Sequence, residues 1–119
     1  MKIAVTSTGR NLDAPVDPRF GRAAYILIVD SDTLAVDVID NTENVNAFKG
    51  AGIQAATMLS ERNVDVLLTG YCGPNAFKAL EAARIRVAGD VTGTVGEAVA
   101  AFKDGKVTFS AAPNAEGHW

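Results

Sequence analysis

The sequence predicts a three-layer α/β/α domain built on a mixed, mainly parallel sheet of five strands. Two observations carry that prediction. Residues 25–30 and 35–39 are apolar runs separated by Asp30-Ser31-Asp32-Thr33, whose side chains can bond their own backbone in a turn, so the two runs form a hairpin. Beyond it, short apolar runs alternate with stretches of helical spacing, as in parallel strands joined by helices that cover both faces. With 119 residues and 48% hydrophobic content, the chain is a single domain that can bury roughly two-thirds of its unfolded surface. Residues 1–110 are assigned to this domain, and 111–119, which lack any periodic pattern, to a flexible tail.

The elements follow in order. Residues 2–6 read as a strand with Ile3 and Val5 on one face. Residues 7–21 form a long polar connection holding Pro15 and Pro18. After the hairpin, residues 41–50 are a second polar loop, and residues 52–62 place Gly52, Ile53, Ala56 and Leu59 near helical spacing. Residues 64–69 are the fourth strand. Residues 76–83 carry Ala76, Phe77, Leu80 and Ala83 on one helical face, and residues 85–88 are the fifth strand. A last helix aligns Val95, Ala98, Val99 and Phe102; Thr94 and Glu97 match a capping box and Gly105 a stop. Residues 107–109 are expected to add a short edge strand.

Composition excludes several functions. A net charge of −3 and a pI near 5.0 provide no basic face for nucleic acid. The longest apolar run, residues 23–29, is far too short for a membrane span. A single cysteine cannot form an internal disulfide, and the first residues turn polar too soon for a signal peptide, so a reducing cytoplasm is expected. No phosphate-loop or dinucleotide fingerprint is present. The first strand holds no carboxylate for a metal-dependent nuclease or phosphotransferase.

What remains points to an anion. Ligands of open α/β sheets sit beyond the carboxyl ends of the strands. Three connections converge there: Ser7-Thr8-Gly9-Arg10, Gly70-Tyr71-Cys72-Gly73-Pro74-Asn75, and Gly89-Asp90-Val91-Thr92-Gly93-Thr94. In the second, the glycines permit a sharp turn and Pro74 suits a first helical turn, leaving amide hydrogens and the positive end of a helix dipole directed at the loop. Cys72 at that terminus is expected to have a lowered pKa and to suit a soft metal; the alternative is a small apolar filler. Arg10, Arg19 and Arg22 can bind an anion, or pair locally with Asp13 and Asp17. Phe20 and Tyr71 could wall the site, although core packing is the commoner fate of Phe20. Thr92, Gly93 and Thr94 begin the last helix, and capping alone accounts for Thr94. Lys49 reads as a solvated loop charge, and His118 as part of the tail.

Three segments also resemble a known family. Asp17-Pro18-Arg19-Phe20-Gly21-Arg22-Ala23 resembles its FGRA segment, Gly50-Ala51-Gly52-Ile53-Gln54-Ala55-Ala56 its GAG helix start, and Val64-Asp65-Val66-Leu67-Leu68-Thr69-Gly70, followed by Gly73 and Ala76, its strand–loop–helix segment. The family is the accessory proteins of nitrogenase iron–molybdenum cofactor assembly. The resemblance implies an RNase H-like fold and a cluster carrier rather than an enzyme. Small stand-alone members include a carrier of a molybdenum–copper sulfide cluster, which makes that cargo the first expectation and another molybdenum- or iron-containing cluster the second. Where many members carry a histidine before the Phe–Gly pair, this chain has Arg19, which favours charge pairing over histidine ligation. The expected state is a monomer or weak homodimer serving a protein partner in cluster delivery or regulation. The competing reading is a small-anion or nucleotide-binding sensor that acts through protein partners.

Overall fold

The computed structural model describes residues 1–42 and 50–110. Its elements are β1 (Lys2–Ser7), β2 (Tyr25–Asp30), β3 (Val36–Asp40), α1 (Ala51–Glu61), β4 (Val66–Leu68), α2 (Pro74–Ala82), β5 (Arg86–Ala88) and α3 (Val95–Lys103). The sheet order is β3-β2-β1-β4-β5. β2 runs antiparallel to both neighbours, and β1, β4 and β5 pair in parallel. The predicted fold class holds: four strands share one direction and the hairpin strand β2 alone opposes them.

Side-chain alternation on the strands divides the core in two. Ala4, Ile26, Ile28, Leu67 and Val87 face α1 and α2, meeting Ala55, Leu59, Ala76, Phe77 and Leu80. Ile3, Val5, Leu27, Val29, Val66 and Leu68 face α3, meeting Val95, Ala98 and Val99. α1 and α2 therefore form one outer layer and α3 the other. The alanines that weaken α1's helical pattern, Ala51, Ala55 and Ala56, are buried.

The expected strand at 107–109 is instead a single bridge between Ala88 and Phe109. The helix stop precedes this segment. Gly105 takes a left-handed φ of 72°, its amide donates to Phe102 (3.0 Å) and the Lys106 amide donates back to Ala101 (2.8 Å), which closes α3 in a Schellman motif. The chain turns toward β5 only after that closure. Phe109 then packs edge-on to Phe102, and the Ser110 amide reaches the Val87 carbonyl at 2.7 Å.

Candidate functional site

The carboxyl ends of β1, β3, β4 and β5 lie at one edge of the sheet, and all three helices begin there. The three connections singled out in the sequence meet along this edge, because the β1–β2 connection threads across it. The Val16 amide donates to Gly93 (2.9 Å) and the Asp17 amide to Thr6 (2.9 Å). The Tyr71 amide donates to Pro18, and the Phe20 amide donates back to Tyr71 (3.0 Å). Two glycines make these approaches possible. A Cβ on Gly70 would lie 2.6 Å from the Pro18 carbonyl oxygen, and one on Gly21 2.7 Å from the Gly52 Cα. Gly21 also has a φ of 89°, which an L side chain rarely adopts.

The helix ends differ sharply. At α3, the Glu97 amide donates to Thr94 Oγ1 (3.1 Å) and the Thr94 amide to Glu97 Oε1 (3.0 Å), the predicted capping box. The Val95 and Gly96 amides donate to the Ala14 and Leu12 carbonyls, at 2.9 and 2.8 Å. Every amide of that terminus is therefore spent within the protein, and the Thr94 hydrogen bonds hold the Glu97 carboxyl below its ordinary pKa. Gly93 and Thr94 take part in this end through their hydrogen bonds with Val16 and Glu97, and Thr92 precedes them in the same connection. At α1 and α2, the N-caps are Gly50 and Gly73, neither helix has a capping side-chain hydrogen bond, and neither has an acidic residue in its first turn. Both of these open ends lie on the same face of the sheet. Asn75 stands in the first turn of α2.

Cys72 leads into α2 but is buried, at 1% exposure, in the core beside Phe20 and Ala76. Its Sγ lies 3.7 Å from the Gly73 carbonyl. Burial pushes the thiol up to about 12, the reverse of the lowering expected from a helix terminus. Desolvation outweighs the dipole because the sulfur points into the core. Phe20 is completely buried, so it supports the loop from beneath; Tyr71 is 41% exposed and stands at the surface of the edge.

The arginines separate. Arg19 bridges to Tyr71 through the backbone; its amide donates to the buried Asp17 Oδ1 (3.0 Å), and its exposed side chain keeps Nε 4.0 Å from the same oxygen. Arg22 is half-buried and directly follows the Gly21 contact with α1. Arg10 lies elsewhere: its guanidinium is 3.8 Å from Asp40 and 4.9 Å from the centre of the Tyr25 ring, on the side that α3 covers. Lys49 and His118 lie outside the described residues.

Other residues at this edge are not among the candidates the sequence singles out. Thr6 Oγ1 donates to the Asp17 carbonyl (2.6 Å) and lies 2.9 Å from Thr69 Oγ1, joining β1, the loop and β4. Asn41 is buried and binds the Gly21–Ala24 stretch. Thr6 and Thr69 are each the first polar residue after an apolar strand run, the one signal that could have found them; Asn41 follows Asp37 and Asp40 and carries no such signal. Among the described residues, no group of three or more His, Cys, Asp or Glu is placed to hold a metal ion.

The family model described as dinitrogenase iron-molybdenum cofactor matches residues 1–105. The chain belongs to this family. It is 50% identical to the orange protein of Desulfovibrio gigas, whose structure was solved in the apo form, with 96% of each chain covered and a TM-score of 0.93. A Thermotoga protein provisionally assigned as a NifB protein of the DUF35 family is 32% identical, covering 96% of this chain and 98% of that one, with a TM-score of 0.81. An uncharacterized protein of Methanocaldococcus jannaschii is 26% identical over 110 residues, or 90% of this chain and 89% of that protein. In this member of the dinitrogenase iron-molybdenum cofactor family, the three segments that carried the resemblance touch one another. Gly21 of the first lies on Gly52 of the second, and Pro18 of the first lies on Gly70 of the third. The motifs are the two sides of one set of backbone contacts.

Proposed function

We propose that this protein is a non-catalytic carrier of an anionic, molybdenum-containing metal–sulfur cluster, held between the N-termini of α1 and α2 and residues 18–22. The observation that carries this reading is the pair of helix ends without capping side chains on one side of the sheet. Amide hydrogens and the positive ends of two dipoles favour negative charge there. Arg19 and Arg22 supply full charges, and Tyr71 a flat apolar neighbour. The protonated, buried Cys72 favours capture by charge over capture by a metal–thiolate bond.

The magnitudes are sufficient. Charge-assisted hydrogen bonds contribute roughly 1.5–3 kcal/mol each and a helix terminus about 0.3–2. Two termini and two guanidinium groups can reach the roughly −8 kcal/mol of a micromolar complex after ordering costs. Contacts of this kind also allow release, as a carrier requires. The resemblance to small members that carry a molybdenum–copper sulfide makes that cluster the proposed cargo. Delivery to a protein partner, by a monomer or weak homodimer in the cytoplasm, completes the reading. No helix among the described residues is long and apolar enough to cross a membrane.

The test is anaerobic reconstitution of the apo-protein with tetrathiomolybdate and Cu(I), followed by gel filtration with metal analysis. Molybdenum and copper co-eluting with the protein, and lost from the Arg19→Ala/Arg22→Ala double variant, are expected. Metals eluting apart from wild type, while nucleotides raise its melting temperature, would replace the carrier with the sensor reading.

A further inference from the structure

Asn41 lies in a stretch that reads as polar loop, yet it is 1% exposed. A buried amide must find partners, and those of the Asn41 nitrogens include three carbonyls of one segment. Its Nδ2 donates to the carbonyls of Gly21 (3.2 Å) and Ala23 (2.8 Å), and its backbone amide donates to Ala24 (2.9 Å). Arg22 sits between the two carbonyls held by the side chain. The same stretch is pressed against α1, where Gly21 takes its left-handed conformation over Gly52. The backbone on both sides of Arg22 is therefore fixed by a residue from the far end of β3. The next residue back, Asp40, accepts hydrogen bonds from Thr42 and pairs with Arg10, so the end of β3 restrains both flanks of the β1–β2 connection.

We infer that Asn41 is the positioning residue of the cluster site, setting where the Arg22 charge stands relative to the open end of α1. The inference rests on the carrier reading above. Asn41 acts through the backbone of residues 21–24. Its removal lowers affinity by freeing that backbone, and only to the extent that Arg22 contributes charge to the site.

The experiment is a double-mutant cycle on the whole chain, with binding of the tetrathiomolybdate–copper product measured over a range of salt concentrations. Asn41→Ala is expected to weaken binding about tenfold, the equivalent of about 1.4 kcal/mol. Its salt dependence should fall to that of Arg22→Ala, and Asn41→Ala should add little further loss in an Arg22→Ala background. A destabilised core would not match those two salt slopes. Should Asn41→Ala fail to fold, Asn41→Ser keeps one shorter donor and is expected to lose about threefold with the same shift in salt slope. Wild-type affinity in the folded asparagine variants, or losses that add fully to that of Arg22→Ala, would overturn the inference and leave the carrier reading standing. Wild type that binds no cluster would remove the carrier reading itself.

Discussion

Helices α2 and α3 start at the same edge of the sheet, after parallel strands one position apart, and their first turns have opposite chemistry. At α3 a threonine, a glutamate and two loop carbonyls consume every free amide and add a negative charge. At α2 a glycine stands at the cap, a proline follows it, and no acidic residue occupies the first turn. α1 repeats the pattern of α2, with Gly50 at its cap. Being a helix N-terminus at the carboxyl edge is therefore not enough to make an anion site. What matters is whether the protein has already used the terminus for its own stability. α3 gains that stability; among the described residues no side chain caps α1 or α2, and the proposed cargo would sit at those two ends.

The contrast can be broken by substitution. Gly21→Ala should have the largest effect, because a Cβ meets α1 at 2.7 Å where the backbone has a φ of 89°. Strain and overpacking together should lower unfolding free energy by about 2–4 kcal/mol in denaturant titration. A loss below 1 kcal/mol would mean that the loop does not lie on α1. Gly73→Asp gives α2 the cap it lacks, at a backbone φ of −75° and ψ of 168° open to any residue. Stability should rise by a few tenths of a kcal/mol, while cluster affinity falls roughly tenfold because the new carboxylate takes the cargo's place. Thr94→Ala should do the reverse, costing about 1 kcal/mol of stability and leaving cluster retention unchanged. Glu97 sharpens this last case. Its folded-state pKa is depressed by Thr94, so its contribution is present above the ordinary carboxylate range and is lost as pH falls through the folded value. Thr94→Ala should flatten that acid limb in pH-dependent melting.

Much of this was legible in the sequence, for physical reasons that differ by element. The capping box and Gly105 signalled both ends of α3 because capping is local chemistry, written within four residues. The hairpin strand β2 was legible to the residue for the same reason, since a polar turn bounds an unbroken apolar run. The edge strand at 107–109 was misread because pairing depends on where the chain meets β5 in space, and only Phe109 bridges Ala88. Cys72 was placed at the right terminus, but its burial depends on Phe20 and Ala76, which are distant in sequence. Arg10 went astray likewise: Tyr25 and Asp40 hold it on the other side of the sheet. Asn41 gave no local sign of its role, since the carbonyls its side-chain nitrogen binds lie about twenty residues earlier.

Cys72 separates capture by charge from capture by a metal bond. Its thiol is pushed up to about 12 in the folded protein against an ordinary value of 9.0, so its contribution to stability is fully present below pH 9.0 and is lost as the pH rises from there toward 12. Cys72→Ala should remove that alkaline loss. The decisive measurement is the molybdenum content of Cys72→Ala after anaerobic reconstitution and gel filtration, with circular dichroism confirming the fold. Retention at the wild-type molybdenum-to-protein ratio is predicted. A folded Cys72→Ala protein that emerges free of molybdenum, where wild type emerges loaded, would contradict charge capture and make the thiolate the anchor.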